Sequence, residues 1–126
     1  MSVIVDTSVW IAYFRAGNSF ELLDPLIDEN LVVTNDLILA ELIPFLKVRN
    51  QKKVIDLMYH LNKAAMNIHW EEIIDFQCRC LQEGINGVGI PDLIVAQNAL
   101  QNHCAIFSLD NHFKLMQKIL KLDLHC

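Results

Sequence analysis

The chain has 126 residues, a hydrophobic fraction of 53%, a mean hydropathy of +0.30 and a formal net charge of −5. This composition excludes a disordered chain and predicts one domain over residues 1–126, large enough to bury a core. No apolar run approaches a bilayer span, and the first cation, Arg15, follows the first apolar run, so a secretory signal is not expected and the cytoplasm is the expected compartment.

Val3-Ile4-Val5 is a β-branched run that predicts a buried strand, with Asp6 at its end. Thr7 and Ser8 are capping types, and residues 9–14 form a short helix that Ala16-Gly17-Asn18 breaks. Residues 20–29 read as helical, with a fresh start at Pro25 and Asp24 as its cap. Leu31-Val32-Val33 is a second strand. Asn35 or Asp36 caps the next helix, which carries Glu41 and which Pro44 should kink or end near Ile43. Val54, Leu57, Met58 and Leu61 show helical spacing, and a third strand is expected at 65–68.

Trp70, Ile73, Ile74 and Leu81 mark another helix, closed by Gly84. Gly84, Gly87 and Gly89 lack the lysine of a phosphate loop and follow a helix, so they predict a turn around Asn86-Gly87. Residues 92–102 are apolar on nearly every side, as in a helix buried against a sheet. Ala105-Ile106-Phe107 is a strand, 113–120 a helix, and 122–124 a further strand. Strands alternating with helices predict an α/β fold with a parallel sheet covered on both faces.

The cysteines Cys78, Cys80, Cys104 and Cys126 form no C-x-x-C pair and read as reduced, mostly buried thiols. The neighbours His103-Cys104 and His125-Cys126 lack zinc-module spacing, and no H-E-x-x-H is present. Two basic clusters, Lys47, Arg49, Lys52 and Lys53, then Lys114, Lys118 and Lys121, read first as solvated helix faces.

Four carboxylates stand in or at the end of apolar stretches: Asp6, Glu41, Asp92 and Asp110. A carboxylate near a core must be neutralised, hydrogen-bonded or bound to a cation. Asp6 and Asp110 follow predicted strands, at the rim where α/β folds gather ligands. Each aspartate taken singly is accounted for as a helix cap, whereas Glu41 in an apolar helix has no evident structural duty. Taken together, the four point to a pocket for hard cations such as Mg²⁺ or Mn²⁺, able to promote in-line water attack on a phosphodiester.

On these residues the chain resembles the PIN-domain ribonucleases, and among them the VapC-like toxins of bacterial and archaeal toxin–antitoxin pairs. The resemblance runs through Val5-Asp6-Thr7-Ser8-Val9-Trp10, Leu39-Ala40-Glu41-Leu42, Ile90-Pro91-Asp92-Leu93-Ile94-Val95-Ala96 and Ser108-Leu109-Asp110-Asn111-His112-Phe113. The ordered set is specific where no single motif is. It implies an α/β/α sandwich and Mg²⁺- or Mn²⁺-dependent cleavage of RNA. Asp6, Glu41, Asp92 and Asp110 would form the acidic cluster that binds metal and performs catalysis. It further implies that Ser8 supports the first aspartate, that Ser108 stands where the family often has threonine, and that the protein is a homodimer inhibited by a small antitoxin. Two positions depart: His112 replaces a further acid found in some relatives, and Pro44 follows Glu41 closely.

Other readings meet specific obstacles. A phosphoacceptor receiver domain would show paired acids after its first strand, where this chain has only Asp6. A haloacid-dehalogenase phosphatase would show D-x-D-x-T, where this chain reads Asp6-Thr7-Ser8-Val9-Trp10. A PIN-like scaffold that binds without cutting is disfavoured by the intact acids. A PIN nuclease of RNA processing without an antitoxin would share the same pocket.

Overall fold

The computed structural model describes residues 1–17 and 21–125, and everything below concerns these. The Asn18 break, the Phe20 start of the second helix and Cys126 lie outside them. Val3, Ile4 and Val5 are all buried and form strand β1 (Val3–Val5); three consecutive buried side chains require cover on both faces of a sheet. β1 pairs in parallel with β2 (Val32–Thr34) on one side and with β4 (Ala105–Phe107) on the other, and β2 pairs in parallel with β3 (Asn62–Lys63). The order is β3-β2-β1-β4.

The chain therefore builds outwards from β1 to β3, then returns to add β4 on β1's free edge. This reversal is a topological switch, and it leaves a crevice beyond the carboxyl ends of β1 and β4. Val5 is level with Phe107, so Asp6 and Ser108 leave the sheet side by side.

Helices α1 (Thr7–Arg15), α3 (Asp36–Val48) and α4 (Lys52–His60) form one packed group, while α5 (Trp70–Gln82), α6 (Ile90–Asn102) and α7 (His112–Leu120) form another. A short α2 (Asp24–Asp28) lies between α1 and β2. The core joins the strands to Val9, Ile38, Leu42, Leu93 and Phe113, all at most 1% exposed. No helix among the described residues is long and apolar enough to cross a membrane.

Several sequence expectations are corrected. Pro44 does not end its helix, which continues to Val48. Proline removes the N–H that would bond the Ala40 carbonyl, but Ala40 and Pro44 are both exposed, so water can take that carbonyl. The strand expected at 65–68 is absent, and β3 is the preceding pair. Side chains of α6 occupy the backbone there: Asn98 and Asn102 both donate to the Ala65 carbonyl, and Gln101 donates to that of Asn67. Asp24 is the first residue of α2 rather than its cap, which is Leu23. The turn falls at Glu83-Gly84 instead of Asn86-Gly87. Residues 122–124 contribute a single bridge, Leu124 to Ile106, rather than a strand. Asn35 is confirmed as the cap of α3, its side chain accepting the Ile38 N–H at 2.8 Å.

Candidate active site

Asp6 is the hub of the crevice. It caps α1, and its Oδ2 accepts three hydrogen bonds: from the Ser8 hydroxyl at 2.8 Å, the Ser8 N–H at 3.4 Å and the Ser108 hydroxyl at 2.9 Å. Each hydroxyl then accepts a backbone N–H from the loop after β4. Leu109 donates to Ser8 Oγ at 3.0 Å, and Asp110 donates to Ser108 Oγ at 2.9 Å. With both hydroxyl protons directed at Asp6, none is left for the 3.3 Å approach of the two serine oxygens. Two small residues thus tie the ends of β1 and β4 together and hold one oxygen of Asp6 in place.

Asp92 enters from α6. Gly89 is the cap of that helix and Pro91 lies in its first turn, which places Asp92 at the third helical position; it is not the cap that its sequence position suggested. Burial pushes its carboxyl above the usual carboxylate range, and the charges of Asp110 and then Asp6 push it further; His112 and a hydrogen bond from the Gly89 backbone act in the opposite direction. Ser108, which bonds both Asp6 and the Asp110 N–H, and the His112 imidazole, which lies against both Asp110 and Asp92, locate all three acids around one crevice. Asp110 is partly buried and accepts the His112 N–H on Oδ1 at 2.9 Å, which turns the chain into α7. The imidazole of His112 folds back on the acids, with Nδ1 3.1 Å from Asp110 Oδ1 and 3.4 Å from Asp92 Oδ2.

Glu41 is placed differently from the other acids. It lies on the exposed side of α3, so the apolar sequence around it does not bury it. Its Oε1 accepts the Thr7 hydroxyl at 3.0 Å, which links it to the residue next to Asp6. The tight group is Asp92, Asp110 and His112, whose donor atoms lie within 4.8 Å of one another, and Glu41 is outside it. His112 is the member that sequence reading noted only as a departure; its position two residues after Asp110, at a helix start, was the available signal.

No lysine or arginine among the described residues pairs with Asp6, Glu41, Asp92 or Asp110; the ion pairs of those cations are Lys63–Asp36 and Arg79–Asp75. Converging carboxylates with only an imidazole beside them form an oxygen-rich donor set that fits a divalent ion. The thiols of the described residues lie outside this group. Cys80 and Cys104 are buried, and burial raises both above the ordinary thiol range, while Cys78 is exposed on α5. A cavity of about 880 Å³ between the end of α5 and α7, lined by Arg79, Glu83, Leu115 and Lys118 among others, gathers no comparable set of acids.

In fold, the chain is similar to three solved structures. The VapBC2 crystal structure from Rickettsia felis, bound to a DNA fragment from their promoter, superposes with a TM-score of 0.77 at 19% identity, over 99% of this chain and 98% of that one. VapBC-1 from nontypeable Haemophilus influenzae gives 0.74 at 19% identity, over 99% and 97%. FitAcB from Neisseria gonorrhoeae gives 0.64 at 15% identity, over 98% and 96%. No curated protein matches in sequence comparison. The profile of the PIN domain matches residues 3–119, nearly the whole chain and every acid described above, and the protein belongs to the PIN-domain family of nucleases.

Proposed function

We propose that the protein is a Mg²⁺- or Mn²⁺-dependent endoribonuclease and the toxin of a VapBC-type pair. One observation carries the reading: Asp6, Asp92 and Asp110 meet at the switch between β1 and β4 with no lysine or arginine to neutralise them. Asp92 and Asp110 would hold the cation, and Asp6, with Oδ2 fixed by Ser8 and Ser108, offers its second oxygen. The bound ion supplies Lewis acidity that activates water and offsets charge at the phosphate. Glu41, held through Thr7, completes the acidic rim where the substrate strand enters. No side-chain nucleophile is called for: water attacks phosphorus, the bond to the 3′-oxygen breaks and that oxygen takes up a proton, so the products carry a 5′-phosphate and a 3′-hydroxyl. The net charge of −5 repels RNA, which makes cation binding a condition for substrate binding as well.

Toxin identity is supported by the likeness to VapBC and FitAcB structures. The antitoxin has a suitable seat in an apolar groove of about 170 Å³ lined by Trp10, Tyr13, Phe14, Ile27, Leu57 and Leu61, on the helix that Asp6 caps. An amphipathic segment there can carry a basic side chain to the acids. We further take the working form to be a cytoplasmic homodimer.

The test is cleavage of single-stranded RNA by purified protein. Activity should appear with Mg²⁺ or Mn²⁺, vanish in EDTA, and be lost in folded Asp6→Asn and Asp92→Asn. Cleavage that survives EDTA or persists in both variants would sink the reading.

A further inference from the structure

His112 is held against two carboxylates without bonding to either. Its Nδ1 is buried and makes no hydrogen bond of acceptable geometry, although Asp110 Oδ1 is 3.1 Å away and Asp92 Oδ2 3.4 Å away. Asp110 Oδ1 already accepts the His112 backbone N–H. With its lone pair on Nδ1, the ring faces two negative oxygens; with a proton there, the proton is aligned with neither. A cation among the three atoms relieves both conflicts. Neighbouring ligands of an octahedral ion with bonds of about 2.1 Å lie about 3.0 Å apart, close to the two spacings seen here.

We propose that His112 Nδ1 is itself a ligand of the divalent cation, forming with Asp92 and Asp110 a mixed nitrogen–oxygen set that strengthens the preference for Mn²⁺ over Mg²⁺. This rests on the metal-dependent reading of the site. Imidazole nitrogen suits first-row transition ions, whereas Mg²⁺ is served best by oxygen. Coordination through Nδ1 leaves the ring proton on Nε2. Gly87 lies beside that edge of the ring: a Cβ placed there would rest in ordinary contact with His112 Nε2 at 3.7 Å, and it is the φ of +83° that favours glycine.

Mn²⁺ alone is the probe, added to metal-free full-length protein and followed by electron paramagnetic resonance. Wild type should show electron-spin-echo modulation from a directly bound imidazole nitrogen. His112→Asp should still bind Mn²⁺, through oxygen, but lose the modulation and discriminate less between Mn²⁺ and Mg²⁺ in competition. Bound Mn²⁺ without nitrogen modulation in wild type means that the ring only neutralises the acids and overturns the assignment, leaving the metal site itself standing. Modulation that persists unchanged in His112→Asp overturns it equally. Failure of folded wild type to bind Mn²⁺ at all overturns the metal-dependent reading and the ligand with it. The wild-type spectrum decides even if the variant misfolds.

Discussion

Asp92 bears the electrostatic cost of the crevice, because burial, Asp110 and Asp6 all disfavour its charged form, with His112 as the partial offset. A raised carboxyl pKa means that the folded protein holds this proton more tightly than the unfolded chain does. Its stabilising contribution is therefore complete below the ordinary carboxylate range and is lost as pH rises through the raised value. Metal-free Asp92→Asn should match wild type at acid pH and exceed it in melting temperature near neutrality. Mn²⁺ at about a hundred times its dissociation constant should add about 2.7 kcal/mol to wild type. The same addition should stabilise Asp92→Asn much less, and an unchanged response would remove Asp92 from the site. Ser108 gives a second test at this scale. Ser108→Ala removes a donor to Asp6 and the acceptor of the Asp110 N–H, so it should cost about 1–3 kcal/mol in urea denaturation, with Ser108→Thr restoring most of it.

Helix α6 combines two tasks on one element. Its first turn delivers Asp92, while its later turns carry Gln97 and Asn98, both at most 2% exposed. Asn98 Oδ1 accepts from Asn35 Nδ2 at 3.0 Å, and Asn98 Nδ2 donates to the Ala65 carbonyl at 3.0 Å. Gln97 clasps His69 through its N–H and its carbonyl and also donates to Glu72 at 2.7 Å. These amides hold the segment after β3 and the cap of α3. Asn98→Leu keeps the size but strands the Asn35 amide and weakens the hold on Ala65, at about 1–3 kcal/mol for a buried group left unpaired. Chemical denaturation should show that loss; a neutral effect would mean that water replaces the side chain.

At the scale of the molecule, the proposed antitoxin seat between α1 and α4 lets inhibition be tested apart from catalysis. Leu57 is 66% exposed on α4 and lines that groove, whose lining includes none of the four acids. Leu57→Glu, co-expressed with the antitoxin that the proposed function calls for, should be recovered without that partner and remain toxic, as read by co-purification and growth. A complex that survives the change would place the antitoxin elsewhere.

Much of this was legible in the order of residues. Short apolar runs located β1, β2 and β4, Asn35 or Asp36 marked the start of α3, and the ordered acids pointed to the family. These signals are local, carried by side-chain shape, by capping chemistry or by a motif a few residues long. Tertiary structure alone decided the rest. Pro44 sits inside a helix because it and Ala40, whose carbonyl it leaves unpaired, face water, and residues 65–68 are held by amides from about thirty residues further on instead of pairing as a strand. Glu41 is exposed despite its apolar neighbours, because a helix turns only one face to the core. The Ser8–Asp6–Ser108 link and the approach of His112 to Asp92 join distant segments, and such contacts exist only once the sheet has placed the strand ends side by side.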